Sequence, residues 1–400
     1  MFKRIMKSYD YPLIIAILLL CIFGLVMVYS SSMVLGASKF NNPTFFYGRQ
    51  QLSLVIGLIG FLLTMAFPYK AYANSKVLML IVLGSIAMLS VVYIFGHTAN
   101  NAQSWLMLGT RGIQPSEFTK LSVIIYLAAV YAKKQSYINQ FDKAVLPPIV
   151  FTIIICLFVA IQPDLGTAFI IGIIACSIIV CSGMGLRNLF KLALLGVIGF
   201  AVIMPILMFN YDSVVTEERI GRFSGFIDPF TNEEDEGYQL VNSYIALGSG
   251  GIKGLGLGQS VQKFGYLPEA HTDFIMAVVA EELGLFGVMF VMVLILFVIL
   301  KGFLIARKCE DPFGSLLAIG ISSMVAIQAF INLGGLTGII PITGVTLPFI
   351  SYGGSSLILL LASMGMLVNV SMFVNYHATS NEIKKQKISQ QNNKRPTHSF

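Results

Sequence analysis

Ten apolar runs, each about as long as a helix that crosses a lipid bilayer, constrain this chain more than any other feature of its sequence. A bilayer core takes roughly 20 helical residues to cross. Hydrophobic residues make up 56% of the chain and charged residues 11%, which is far outside the range of soluble domains. We therefore predict an all-α, polytopic membrane protein with about ten transmembrane helices. The runs cover residues of about 12–31, 50–67, 76–96, 117–132, 146–161, 165–182, 189–209, 274–300, 313–337 and 355–376.

The lysines and arginines predict the orientation of these helices, because basic residues near helix ends stay on the cytoplasmic side. With the N-terminus inside, the inner segments hold eighteen of the 26 basic residues and the outer segments hold seven, while Lys120 falls within the fourth run. Both termini are therefore predicted to be cytoplasmic. The net charge of +7 then reflects membrane orientation rather than affinity for nucleic acid.

Two segments lie outside the apolar runs. Residues 210–273 form a long outer loop between the seventh and eighth helices, with an acidic run, NEEDEG, and a glycine-dense stretch, GSGGIKGLGLG. Loops of this length are commonly functional or disordered. Residues 377–400 are polar, basic and without pattern, which predicts a disordered cytoplasmic tail. We therefore divide the chain into a transmembrane domain, residues 1–376, and this tail.

Ionisable residues stand at the outer ends of three apolar runs, and ionisable residues in membrane spans often mark a site. Glu117 and Lys120 share one face of the fourth helix at i and i+3 and can pair. Asp164 begins the sixth run, where the helix dipole favours a carboxylate. Asp273 is expected in the first turn of the eighth helix, with Thr272 as its N-cap. Helix capping alone accounts for any one of these acids, but their combination predicts a polar cluster in which Lys120 pairs with Asp164.

Two further carboxylates lie deeper in the eighth run. Glu281 is eight residues beyond Asp273, about 12 Å along a helix axis. Its position on the helix would let it reach the floor of a cavity below Asp273, whereas Glu282 is expected to pair with another span. We interpret both as structural rather than catalytic residues, because a charge at this depth is costly.

Five motifs in chain order carry a resemblance to a known family. They are GTRGIQPSEFTKL, QPDLGTA, YQLVNSYIALGSGGIKGLGLGQS, YLPEAHTDFIMAVVAEELG and TGIIPITGVTLPFISYGGSS. Together they resemble the SEDS family of shape, elongation, division and sporulation proteins, and the resemblance runs from the first span to the last. GLVMVYSSS and GQSVQKFGYLPEAHTDFI are more similar to its division and sporulation branches than to its elongation branch.

The resemblance implies a peptidoglycan glycosyltransferase that polymerises lipid II on the outer face of the bacterial cytoplasmic membrane, at the division septum. The implied partners are lipid II, a class B penicillin-binding protein that acts as the transpeptidase, and small bitopic division proteins. The family's essential aspartate falls on Asp273. Its substrate-binding and polar positions fall on Glu117, Lys120, Asp164, Trp105, Gln239, Ser243 and His271, with Glu281, Ser351 and Tyr352 as supporting residues. Trp105 would equally suit an anchor at the membrane interface.

The implied reaction needs little acid–base machinery. A sugar 4-hydroxyl attacks the anomeric carbon of a second lipid II molecule and expels undecaprenyl pyrophosphate. Glycosidases need two carboxyl groups because their alkoxide leaving group is poor, but pyrophosphate leaves without a proton. One carboxylate base, Asp273, and positive charge on the phosphates should therefore suffice.

Cations in the outer loop are the candidates for the phosphates. Arg219 and Arg222 come first, because guanidinium groups hold phosphate through two parallel hydrogen bonds, followed by Lys253 and Lys263. Loop cations beside anionic lipid headgroups are equally ordinary. Mg²⁺ or Mn²⁺ could assist, held by carboxylate and phosphate oxygens, and the sequence leaves this open.

The sequence gives no support to zinc, haem or a nucleotide as a cofactor. No His or Cys spacing suits zinc, no haem is expected, and the glycine stretch lacks the pattern of a nucleotide loop. Packing of that stretch over helix ends is its favoured role.

A lipid II flippase or transporter and a noncatalytic division scaffold remain as alternative functions. Charges at the outer helix ends favour the enzyme, because a transporter would place its site near the midplane on broken helices.

The basic-residue asymmetry makes a direct prediction about which loops face outward. In a variant without the five native cysteines, Ser213→Cys and Asn232→Cys should react with a membrane-impermeant maleimide in intact cells. Gln386→Cys should react only after the membrane is opened. The reverse pattern of labelling would place every proposed site residue on the cytoplasmic face.

Overall fold

The computed structural model describes residues 2–99, 102–108, 111–209, 221, 224–231 and 237–393. Helices dominate it, and the longer ones form a bundle around a common apolar core. The helices are α1 (Phe2–Ser8), α2 (Tyr11–Phe40), α3 (Phe45–Ala66), α4 (Ser75–Phe95), α5 (Pro115–Lys133), α6 (Leu146–Ile161), α7 (Leu165–Val180), α8 (Leu186–Phe209), α9 (Tyr238–Gly250), α10 (Ile275–Lys308), α11 (Pro312–Leu336) and α12 (Gly354–Asn393).

Each apolar run of the sequence coincides closely with one of these helices. Among the described residues, seven helices are long and apolar enough to cross a membrane by length and composition. The other three helices that match an apolar run are α5, α7 and α8. Of these, α5 contains Glu117 and Lys120, and α7 has only 16 residues. The prediction of a helical protein with many membrane spans is confirmed. The count of ten spans and their orientation stay predictions.

A small antiparallel sheet between α4 and α5 was not predicted. Its strands are β1 (His97–Ala99), β2 (Ala102–Leu108) and β3 (Arg111–Ile113), in the order β1-β2-β3. β1 and β3 have only three residues each, and the seven residues of β2, AQSWLML, do not alternate between apolar and polar side chains. Trp105 lies on β2, and a Cβ atom at Gly112 would lie 2.7 Å from its ring, so only glycine at that position leaves room for the indole.

α12 extends beyond the boundary predicted for the tail. The sequence predicted a disordered tail from residue 377, and the helix runs to Asn393. Residues 377–393 include three Lys and three Gln, which are good helix formers, and the first proline after them is Pro396. The division into a transmembrane domain and a tail stays a prediction. Residues 394–400 lie outside the described part of the chain.

The first part of α10 is separated from the rest by a break at Gly284, whose φ of 62° and ψ of −157° are not helical. The break deprives the carbonyls of residues 281 and 282 of their helical donors. These carbonyls accept hydrogen bonds from Leu255 N and Gly256 N, each at 2.9 Å, and Leu285 N donates to Gly251 O at 3.0 Å. The glycine-dense stretch therefore packs into the break, as its composition predicted.

The carboxylates of Glu281 and Glu282 fasten the same outer loop to α10. Glu281 accepts hydrogen bonds from Ser260 Oγ and from Val261 N, the latter at 2.9 Å. Glu282 accepts from Ser30 of α2 at 2.7 Å and forms an ion pair with Lys263, also at 2.7 Å, in which both side chains are fully buried. The prediction that Glu282 pairs with another span is confirmed, and its second partner is a loop lysine.

Glycine at position 254 is required by this packing. Its φ is +77°, and a Cβ atom would collide with the carbonyl of residue 282. Gly254→Ala should lower the free energy of unfolding by about 1–3 kcal/mol. Gly248→Ala is the matched control, because no atom lies within 4 Å of a Cβ at that helical position. Thermal unfolding in detergent measures both variants, and equal stabilities would contradict the packing described.

The buried Lys263–Glu282 pair makes a second stability prediction. Removing one partner leaves an uncompensated buried charge, which typically costs about 3–5 kcal/mol. Lys263→Met and Glu282→Gln should each destabilise strongly, and the double variant should be more stable than either single variant. Lys253→Met, at an exposed lysine of the same loop, is the control and should leave stability unchanged. Additive losses in the double variant would show that the two residues are not coupled.

Candidate active site

The residues that the sequence singled out lie mainly at one end of the helix bundle. Asn332 is 20 residues beyond the start of α11, and Ser30 is 20 residues beyond the N-cap of α2. Both distances correspond to about 30 Å of helix. The hydrocarbon core of a bilayer is about 30 Å thick. Helices that begin at one edge of the hydrocarbon region reach its other edge at these residues, and the predicted orientation would make that the outer edge.

The segment between α11 and α12, residues 337–353, enters the bundle at this end; we refer to it as the α11–α12 loop. Residues 347–351 are buried, and Ile350 Cα would lie 2.9 Å from a Cβ atom at Gly24 of α2. Gln50 of α3 donates to Ser351 O at 3.1 Å and accepts from Gly353 N at 3.3 Å. Irregular backbone at membrane depth requires this kind of burial in protein.

One residue of this loop has a strained backbone. Phe349 has a φ of +68°, although its side chain is large and fully enclosed. A bulky residue in the left-handed region is uncommon. Such geometry persists where the surroundings hold it firmly, and it is concentrated at functional sites.

The turn that carries Asp273 is held by three consecutive hydrogen bonds. The carbonyls of residues 271, 272 and 273 accept from Tyr352 N at 2.9 Å, Ser351 Oγ at 2.6 Å and Asn332 Nδ2 at 2.8 Å. These three carbonyls precede the first residue of α10, Ile275. The α11–α12 loop and α11 therefore fix the backbone of Asp273 at three successive points.

Asp273 is half-buried and lines a shallow depression. A Cβ atom at Gly344 would lie 3.7 Å from Asp273 Oδ2, so the carboxylate lies beside the α11–α12 loop. The expectation that Asp273 occupies the first turn of its helix is wrong. The helix begins at Ile275 after its N-cap residue, Phe274, and the Thr272 hydroxyl donates to Glu269 rather than capping the helix.

The polar cluster differs from the predicted pairing. Lys120 Nζ lies 2.8 Å from Glu117 Oε1, one helical turn away, rather than in an ion pair with Asp164. Asp164 caps α7 by accepting from Thr167 N at 3.1 Å, and it accepts from Gln114 Nε2 at 3.3 Å. Residues three apart on one helix lie on the same face, so Lys120 and Glu117 can pair however the helices pack against one another.

A second depression lies beside this cluster. Glu117 contributes to its wall, together with Gln328 of α11 and Ser363 of α12. Gln114, which bonds Asp164, also donates its backbone N–H to Ser355 Oγ at the start of α12, at 3.2 Å. The cluster is thereby connected to the helix that follows the α11–α12 loop.

The remaining predicted site residues are distributed as follows. Lys263 is committed to the buried pair with Glu282, so the structure gives its ammonium a role other than phosphate binding. Lys253 is exposed on the glycine-dense loop. Ser243 fastens α9 to α11 by donating to Leu336 O at 3.1 Å, and Gln239 lies half-buried on the same helix. Arg219 and Arg222 lie outside the described residues.

His271 lies in an aromatic environment beside the turn. Its ring centroid is 4.6 Å from that of Phe46 and 5.5 Å from that of Tyr352. Burial lowers the pKa of His271; Glu269 opposes this effect and Lys39 adds to it. The imidazole is therefore neutral at pH 7, so it can exchange hydrogen bonds but adds no positive charge to the site.

Sequence reasoning missed Asn332 and Gln50, which hold the turn and the loop. Both stand within or at the edge of apolar runs, where a polar side chain signals an internal contact. Their amides carry no charge, so they gave a weaker signal than the ionisable residues.

No three His, Cys, Asp or Glu side chains stand together as a metal site in the described ranges. The involvement of Mg²⁺ or Mn²⁺ stays an expectation from the sequence.

The break in α10 bears on the transporter alternative, because broken helices were expected of a transporter. Transporters use the freed backbone groups of such breaks to bind substrate or ions. Here the glycine-dense stretch of the same chain occupies them, at the carbonyls of residues 281 and 282 and at Leu285 N. The break therefore serves the packing of the outer loop.

This chain is similar in sequence to known proteins along nearly its whole length. The family described as cell cycle protein, FtsW/RodA/SpoVE, matches residues 11–376. The probable peptidoglycan glycosyltransferase FtsW of Bacillus subtilis is 59% identical over 97% of this chain and 96% of its own length. Stage V sporulation protein E of the same organism is 39% identical over 92% of this chain and 98% of its own length.

The fold is also found among solved structures. A chain from a peptidoglycan synthase complex that coordinates polymerization and crosslinking superimposes with a TM-score of 0.71 and 24% identity. The superposition covers 92% of this chain and 98% of that one. The resemblance seen in the five motifs is thus confirmed along nearly the whole sequence, and this chain belongs to the FtsW/RodA/SpoVE family of cell cycle proteins.

Proposed function

We propose that this protein is a peptidoglycan glycosyltransferase that polymerises lipid II on the outer face of the cytoplasmic membrane during cell division, with Asp273 as general base. The names of its relatives support the reaction class. The observation that carries the residue assignment is the half-buried Asp273, whose backbone is fixed by three consecutive hydrogen bonds near the edge of the hydrocarbon core.

The position of Asp273 suits a lipid-linked substrate. The undecaprenyl chain occupies the hydrocarbon region, so the pyrophosphate and the first sugar lie at its edge, at the depth derived for the turn. Asp273 takes the proton of the acceptor sugar's 4-hydroxyl as that oxygen bonds the anomeric carbon of the donor. The bond from the anomeric carbon to pyrophosphate breaks, and its electron pair leaves with undecaprenyl pyrophosphate. The proton on Asp273 then passes to water.

Cations must balance the charge of the departing pyrophosphate. Arg219 and Arg222 remain the first candidates from the sequence. Two other cations lie near the turn: Arg49, whose guanidinium is 4.2 Å from the centroid of the Phe45 ring, and Lys39, which acts electrostatically on His271. We add both to the set of residues that could hold phosphate, because Lys39 lies in the last turn of α2 and Arg49 near the start of α3, where Phe46 lies against His271.

A transpeptidase partner accompanies this proposal. Glycan strands require crosslinking once they are polymerised, and a chain of similar fold has been solved within a peptidoglycan synthase complex. We therefore propose a class B penicillin-binding protein as the partner, with small bitopic division proteins at the septum. A flippase or a scaffold would not require a carboxylate held this firmly beside a depression.

Substitution of Asp273 tests the proposal. Asp273→Asn keeps the shape of the side chain but removes the base, so polymerisation should fall by roughly 10²–10⁴-fold, while lipid II binding is retained. Asp273→Glu displaces the carboxylate by about one methylene and should also be largely inactive. Glycan formation from labelled lipid II, with the purified transpeptidase present, measures both variants.

Two carboxylates serve as controls. Glu269→Gln alters an exposed acid in the same turn, and Glu281→Gln alters a buried acid that holds the outer loop. Glu269→Gln should polymerise at close to the unmodified rate, and Glu281→Gln should lose stability more than turnover. If Asp273→Asn polymerises like the unmodified protein, the catalytic assignment fails and the flippase or scaffold function takes precedence.

A further inference from the structure

Asn332 connects the turn of Asp273 to the α11–α12 loop through a single side chain. It is only 4% exposed, and its Nδ2 donates both to Asp273 O at 2.8 Å and to Val345 O at 2.7 Å. An amide nitrogen has two hydrogens, and both are used here. The two acceptors therefore fix the orientation of the amide, with Oδ1 on the side away from both carbonyls.

The oxygen of this amide differs from its nitrogen. Asn332 Oδ1 is buried and accepts no hydrogen bond from any residue that the structure describes. A buried acceptor without a donor is unfavourable, and native structures seldom leave one unless water or a ligand provides the bond. Within the described part of the chain, the side chain is thus satisfied on its donor side and unpartnered on its acceptor side.

A second buried asparagine shows what a purely structural residue looks like in this fold. Asn369 of α12 is fully buried near the opposite end of the bundle. Its Oδ1 accepts from Tyr69 N at 2.9 Å, and its Nδ2 donates to Met65 O at 2.7 Å. Both sides of that amide are satisfied by the protein, so the unpartnered acceptor of Asn332 is not a general feature of buried asparagines here.

Asn332 and Asp273 line the same depression, together with Thr343 and Gly344 of the α11–α12 loop. We propose that Asn332 is a substrate-binding residue whose Oδ1 accepts a hydrogen bond from a hydroxyl or acetamido N–H of the sugar at Asp273, while its Nδ2 positions the base. This inference rests on the proposed function. A neutral amide suits the place, since it provides an acceptor without a second negative charge beside Asp273.

Two substitutions test the amide. Asn332→Ala removes both halves, so lipid II binding should weaken about tenfold, as for the loss of one hydrogen bond, and kcat should fall about 10–100-fold as the base loses its positioning. Asn332→Asp keeps the side-chain volume, but it replaces the donors to the two carbonyls with an acceptor and adds the second negative charge beside Asp273 that the amide avoids. It should therefore lose kcat at least as far as Asn332→Ala does. Steady-state polymerisation of labelled lipid II, corrected for the folded fraction, provides kcat and KM.

Asn369→Ala is the matched control, because it removes an equally buried asparagine with two hydrogen bonds far from the site. It should lose comparable thermal stability yet retain kcat, KM and the increase in Tm that lipid II produces. Asn332→Ala should show a smaller increase in Tm with lipid II, a readout that loss of packing alone does not change.

The outcomes distinguish this inference from the function on which it rests. If Asp273→Asn is inactive while folded Asn332→Ala matches Asn369→Ala in kcat, KM and lipid II response, the role of Asn332 is refuted and the proposed function stands. If Asp273→Asn polymerises normally, the proposed function itself fails. Where Asn332→Ala does not fold, Asn332→Asp decides, and an unchanged kcat in that variant overturns the inference.

Discussion

Three hydrogen bonds to consecutive carbonyls, at residues 271, 272 and 273, are the interaction on which the rest of the site depends. These carbonyls lie before the first turn of α10 and close to hydrocarbon, where an unsatisfied backbone group is costly. Their donors come from Tyr352, Ser351 and Asn332. The hydrogen bonds that satisfy these carbonyls therefore also hold Asp273 in one place, as a general base requires.

The donors are themselves held by the surrounding helices. The α11–α12 loop packs against Gly24 of α2, where only a glycine lets the two backbones approach, and Gln50 of α3 closes it with two hydrogen bonds. On the other side, the outer loop fills the break at Gly284 and is fastened by Glu281 and Glu282. The base, at the end of the outer loop, is thus held by two loops that are each tied to more than one helix, which favours a preorganised site over one assembled on substrate binding.

The sequence predicted what depends on local pattern and missed what depends on tertiary contact. Hydrophobicity located the helices, and the carboxylate of Asp164 was correctly assigned to a helix N-terminus. Lys120 was paired with the wrong acid: its i,i+3 neighbour Glu117 was recognised as a possible partner, but the predicted ion pair with Asp164 depended on helix packing that the sequence does not give. The break at Gly284 could not be foreseen, since its stability comes from N–H groups about 30 residues earlier. Asn332 was overlooked because an uncharged amide in an apolar run gives a weaker signal than an ionisable group.

Catalysis by Asp273 requires a sugar hydroxyl of the lipid-linked substrate to meet its carboxylate at the outer edge of the hydrocarbon core. An experimental structure of the protein with bound lipid II measures this directly. We expect the acceptor 4-hydroxyl within about 2.6–3.2 Å of the Asp273 carboxylate, with a sugar donor on Asn332 Oδ1. Lipid II bound elsewhere, with its sugars near the bilayer midplane or beyond hydrogen-bonding reach of Asp273, would contradict it.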